Sequence, residues 1–111
     1  MIDKNKDMLP VGSVVLLKNG NIRIMITGYF PIVEDEHSYY DYCGILYPEG
    51  LIDLKTLGFF NRESIEKVFS LGYIDDGVND FMKFLKEKDK EISNDSNYKK
   101  KEKDDLEDIF S

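Results

Sequence analysis

The chain has 111 residues, 22 acidic and 15 basic, giving a formal net charge of −7 and a pI near 4.7. This length fits one domain with a tail. The negative surface disfavours nucleic acid and anionic membranes and leaves a basic protein surface as the natural partner.

Residues 1–8 are polar and read as a flexible N-terminus, with no apolar signal-peptide core. Leu9-Pro10-Val11-Gly12 leads into a first strand over Ser13 to Lys18, with Pro10 at the strand entry, where a missing N–H is tolerated. Lys18-Asn19-Gly20-Asn21 is a turn, because Asn-Gly accepts the positive φ values of a tight hairpin. A second strand runs from Ile22 to Tyr29. Ile22, Ile24 and Ile26 alternate with Arg23, Met25 and Thr27, the pattern of a half-buried strand.

Residues 33–38 form an acidic loop. Tyr39 to Tyr47 reads as a third strand rich in aromatic and β-branched residues. Its alternation puts Tyr40, Tyr42, Gly44 and Leu46 on one face. A short extended segment is expected at Leu51 to Leu54. Asn61 reads as a helix N-cap, with Phe60 and Ile65 as a hydrophobic staple around a short helix, Arg62 to Val68. Val68 to Tyr73 then reads as a closing strand. Asp75 or Asp76 caps a final helix whose apolar stripe is Val78, Phe81, Met82 and Leu85. The expected architecture is α+β: a small, strongly curved antiparallel sheet or partly open barrel of four to five strands, one short helix, and a C-terminal helix packed on it. Residues 9–90 form the single globular domain, and residues 91–111 a disordered charged tail.

Candidate chemistry is sparse. His37 among Glu34, Asp35, Glu36 and Asp41 could suggest a divalent-metal site, but one imidazole without thiolates is thin for a transition metal. The spacing also lacks the Asp/Asn alternation and central Gly of a calcium loop, so a solvated loop is the reading. Cys43 is the only cysteine, which excludes an internal disulfide and a multi-thiolate zinc centre and fits a reducing compartment. As a nucleophile it would need a positioned base; it reads as a small buried hydrophobe. Asp75-Asp76 reads as helix capping and Asp104-Asp105 as tail solvation. No cofactor is expected, no metal site, and no enzymatic activity. No apolar run reaches the ~18 residues of a membrane span, so the expected location is the cytoplasm, without membrane insertion. Tyr40 and Tyr42 are candidate anchors of an exposed protein-binding face. Leu106, Ile109 and Phe110 restore apolar character within an acidic tail and are candidates for a second short contact.

Four segments taken together carry a family resemblance: Leu9 to Lys18, Ile24 to Gly28, Tyr40-Asp41-Tyr42-Cys43-Gly44-Ile45-Leu46-Tyr47-Pro48-Glu49-Gly50, and Phe59-Phe60-Asn61-Arg62-Glu63-Ser64-Ile65. They resemble the bacterial family of domain of unknown function 4176, found mainly in Gram-positive bacteria and often encoded near type VII (ESX-like) secretion loci and their polymorphic toxins. The resemblance covers Leu9 to Leu85. It implies an accessory cytoplasmic protein, such as an adaptor, effector chaperone or targeting factor, whose partner is a secreted toxin or a secretion-system component. It brings no catalytic residues. Two alternatives stand beside it. One is an immunity protein neutralising a cognate toxin, and the other is a small metal-binding or enzymatic domain around His37 and Cys43.

Overall fold

The computed structural model describes residues 2–18, 20–33, 37–53 and 56–106. Among them run β1 (Val14–Leu17), β2 (Arg23–Tyr29), β3 (Ser38–Tyr39), β4 (Tyr42–Leu46), β5 (Gly58–Phe60), a 3-10 turn (Arg62–Ser64), β6 (Ile65–Ser70), helix α1 (Asp76–Asn94) and β7 (Lys99–Lys100). Five strands make one antiparallel sheet in the order β5-β4-β2-β1-β6, and β3 and β7 make a small parallel pair. The fold is α+β, and the sheet does not close into a barrel.

Register explains the core. Val15 lies opposite Ile24, Ile24 opposite Leu46, Ile26 opposite Gly44, and Tyr42 opposite Phe60. Directly opposed residues share a face, so the isoleucines of β2 meet Val15, Leu17, Tyr42 and Phe60 on one side of the sheet. Met8 and Leu9 cover that side from the N-terminal segment, and Leu85 covers it from α1. The Leu9 peptide is held at both ends: its N–H donates to the Tyr42 hydroxyl at 2.7 Å, and the Tyr29 hydroxyl donates to its carbonyl at 2.6 Å. Burial pushes the Tyr29 hydroxyl up to about 12 and raises that of Tyr42 as well, so both stay protonated.

Several segments differ from the sequence reading. The expected third strand is broken into β3 and β4, because the chain turns at Tyr40-Asp41 to send Asp41 inward. Residues 51–53 are not in a strand, and Leu54 lies outside the described residues; the fourth sheet strand is instead β5. The expected helix over Arg62 to Val68 is one 3-10 turn followed by β6. Asn61 makes no side-chain cap bond there; its amide is used on distant segments. Asp75 does cap α1, accepting from the Val78 N–H at 2.9 Å.

Within the segments expected to lie off the body, the described residues 2–8 and 91–106 make contacts with it. Lys4 Nζ donates to the Ile65 carbonyl at 2.8 Å, and Met8 is buried. Helix α1 continues through residues 91–94. Lys99 and Lys100 pair with β3, and Asp105 exchanges two 2.8 Å backbone hydrogen bonds with Phe59 on the outer edge of β5. Composition alone points to solvation here, yet the backbone of this lysine-rich stretch finds open strand edges to pair with.

Candidate interaction surface

The polar centre of the molecule is Arg62, which opens the 3-10 turn one residue after β5. Its Nε and one terminal nitrogen fork onto Asp41 at 2.9 and 3.0 Å. Its two terminal nitrogens fork onto Asp89 of α1 at 2.9 and 2.7 Å. One of them also donates to the Lys6 carbonyl at 2.8 Å. All five guanidinium N–H donors are thereby used. Lys100 Nζ adds a 2.7 Å contact to Asp41 and a 2.8 Å contact to Glu63. Asn61 extends the cluster: its Oδ1 accepts from the Asp41 N–H, its Nδ2 donates to the Lys101 carbonyl, and its own N–H donates to Asp104.

The electrostatics follow from that geometry. Burial alone would raise the Asp41 carboxyl, but hydrogen bonds from Arg62 and Lys100 hold it below the usual carboxylate range. Arg62 is stabilised as a cation by the same contacts, against its burial. Asp104 goes the other way: burial pushes its carboxyl up. Among the described residues, no buried side-chain polar atom lacks a partner. A fully satisfied network of this kind fixes α1, the N-terminal segment and the C-terminal stretch to the sheet.

A second region is built on the opposite terms. From the end of β6 to the start of α1, the chain presents Phe69, Leu71, Tyr73 and Ile74 to solvent, with Tyr73 81% exposed. The backbone beneath them is held. Gly72 N–H donates to the Ser13 hydroxyl at 3.0 Å, and that hydroxyl, wholly buried, donates in turn to the Pro10 carbonyl at 2.7 Å. A Cβ on Gly72 would sit 1.9 Å from the Val11 carbonyl oxygen, so only glycine allows this approach. Val11, on the other side of that contact, is also exposed. Beside this segment β6 is a terminal strand of the sheet, paired on one side only among the described residues. Several large apolar side chains thus stand together on a pinned backbone, next to a strand edge unpaired among the described residues.

From Ile74 this surface runs into a cleft of ≈ 530 Å³ between α1 and the N-terminal segment, floored by Met8, Pro10, Val78 and Met82. A second groove, ≈ 470 Å³, lies on the other flank of α1 and is aromatic: Tyr29, Phe30, Phe81, Phe84 and Tyr98 line it. Ring contacts at 5.4–6.0 Å run from Phe84 through Phe81, Tyr29 and Tyr42 to Phe60 in the core.

Tyr42 is fully buried, with its hydroxyl on Leu9, and Tyr40 is buried against Phe59, the rings stacked at 5.7 Å. The expectation that they present an exposed face is therefore corrected: Tyr42 faces the core because it continues the Ile26–Gly44 row of the sheet. Leu106 is half-buried and packs against the core cluster; Ile109 and Phe110 lie outside the described residues. Glu34, Asp35 and Glu36 also lie outside them. Among the described residues, no group of three or more potential ligands could hold a metal. Cys43 is half-buried with its Sγ 3.7 Å from the Thr27 hydroxyl, which is no base to activate it. The exposed segment was hidden in sequence because Val68 to Tyr73 reads as one strand; the signal against that reading is Gly72, a strand-weakening residue next to the helix cap.

The model of a family described as a domain of unknown function, DUF4176, matches residues 8–81. The chain belongs to the DUF4176 family. No curated protein and no solved structure matches it. The DUF4176 match contains Asp41, Asn61 and Arg62 and the whole exposed segment; Asp89, Lys100 and Asp104 lie beyond it. The Tyr40-Asp41-Tyr42 and Phe60-Asn61-Arg62 stretches that carry the resemblance thus make the inner half of the ion-pair cluster, a fold-holding role.

Proposed function

We infer that the protein is a non-enzymatic protein-binding accessory factor, an adaptor, chaperone or targeting factor, and that it serves type VII secretion of polymorphic toxins. The observation that carries the binding role is the pinned apolar segment Phe69 to Ile74 beside the open edge of β6. A soluble surface normally avoids placing several large apolar side chains together, and here the hydrogen bonds of Gly72 and Ser13 hold that arrangement. The family resemblance directs the choice of partners to secretion components and toxins.

The test is co-expression with toxins and secretion components encoded beside its own gene, followed by size-exclusion chromatography and calorimetry. A stable complex that Leu71→Ser and Tyr73→Ser weaken without loss of fold is expected. If none of those proteins binds the folded chain, the reading fails. If growth is rescued from a toxin in the same experiment, the immunity role replaces the adaptor role.

A further inference from the structure

The cleft between α1 and the N-terminal segment has a charge opposite to that of the protein. Lys83, Lys86 and Lys90 recur at i, i+3 and i+7, one stripe of α1, and Lys6 faces them from the other wall. The two carboxylates of the cleft are already committed. Asp89 is forked onto Arg62, and Asp7 Oδ2 accepts the Asp3 N–H at 2.9 Å. None of the four lysine ammonium groups has an ion-pair partner among the described residues. Four lysines against two carboxylates around an apolar floor give the cleft a net positive lining on a chain of net charge −7.

We propose that this cleft takes an acidic amphipathic helix of a partner protein, its apolar anchors on Met8, Val78 and Met82 and its carboxylates over Lys6, Lys83, Lys86 and Lys90. This rests on the protein-binding role inferred above and names the chemistry of the partner. The floor supplies the affinity: Met8 and Met82 are adaptable side chains suited to receiving apolar anchors. The lysines supply selection and encounter rate, since exposed pairs contribute little energy each but steer association and reject basic partners. The wall fits the occupant. From Val78 to Lys90, α1 offers about 18 Å at 1.5 Å per residue, the length of a three-turn helix laid alongside. Ile74 belongs both to this floor and to the exposed segment, so one partner can cover both.

The probe is a fluorescein-labelled peptide of about 15 residues with Leu at i, i+3, i+4 and i+7 and Glu at most other positions. Its control carries Lys in place of Glu. Anisotropy should show binding of the acidic peptide only, weakening with added salt. Lys83→Glu/Lys86→Glu, on an exposed face that leaves the fold intact by circular dichroism, should lower that affinity by about tenfold or more, about 1.4 kcal/mol. Amide shifts in ¹⁵N spectra should cluster on Met8, Val78 and Met82. Equal binding of both peptides, no shifts along Val78 to Lys90, or binding only to phosphatidylglycerol vesicles would overturn the proposal. The two inferences fail separately. If a native secretion partner binds wild type and the charge-reversal variant alike, the cleft is not its seat although the binding role stands. If no native partner binds at all, the binding role fails.

Discussion

The Arg62 cluster and the Phe69 to Ile74 segment, which begins at the end of β6, lie a few residues apart in the chain and obey opposite rules. Around Arg62 every donor has an acceptor, and charged groups are drawn inward: the side chains of Asp41 and Arg62 are 1% and 9% exposed. Across β6 apolar side chains are pushed outward while the backbone alone is held. The first arrangement is costly to build, because each buried ion must recover the hydration it loses. It therefore marks where the fold is specified. The second contributes little to the fold and leaves apolar area in water, and it is the surface we propose a partner covers.

The sharpest way to break this contrast is Arg62→Met. It leaves Asp41 buried without its main partner, and a loss of about 3–5 kcal/mol is expected in urea unfolding. Tyr42→Phe comes next. It leaves the buried Leu9 N–H without an acceptor, a loss of about 1–3 kcal/mol in the same assay. On the other side of the comparison, Tyr73→Ser should change stability by less than about 0.5 kcal/mol, while weakening partner binding. If Tyr73→Ser destabilises as much as Tyr42→Phe, the segment is part of the core and the contrast collapses.

A pH titration sharpens the same comparison inside the cluster. The folded pKa of Asp41 lies below its unfolded value. Its stabilising contribution is therefore complete above about pH 4 and is lost as pH falls through the folded value. Asp104 has the opposite sign, its folded pKa being raised by burial. Protonating it favours the folded chain, so stability gains slightly as pH falls through its folded pKa toward about 4. Denaturation midpoints across this range should show that small gain in wild type, followed by the Asp41 loss. Asp104→Asn, which keeps an acceptor oxygen for the Asn61 N–H, should lack the gain and retain the loss.

Much of this fold was legible in the sequence, for reasons that are local. The alternation of Ile22, Ile24 and Ile26 and the Asp75 cap both express preferences that a few neighbouring residues enforce, whereas the positive φ expected for the Asn19-Gly20 turn is not found at Gly20, and Asn19 lies outside the described residues. The β2 face and the start of α1 follow from them. What was not legible depends on partners far away in the chain. Asn61 has the chemistry of an N-cap, and Phe60 and Ile65 have the spacing of a staple, but β1 offers an unpaired edge that Ile65–Ser70 completes as a strand. Asn61 then turns to Asp41 and Lys101. Nor does Tyr39 to Tyr47 announce that Asp41 will be buried, because the cation that makes this tolerable comes 21 residues later. The candidate surface was half visible. Val68 to Ile74 reads as apolar, but a strand pattern cannot say which side chains stay wet. The lysines at 83, 86 and 90 acquire a setting only when the fold places Met8 and Pro10 opposite them.

The hydrogen bonds of Arg62 reach residues 21 to 56 positions away along the chain. Such contacts cannot form until the loops between them have closed, and that closure is the slow part of folding a chain with distant pairings. The cluster is therefore a late arrival on the folding route. Removing it should leave the rate of folding nearly unchanged and raise the rate of unfolding, visible as a steeply lifted unfolding arm in a chevron plot. In kinetic terms Arg62 acts as a latch: it does little to bring the protein together and sets how long it stays closed.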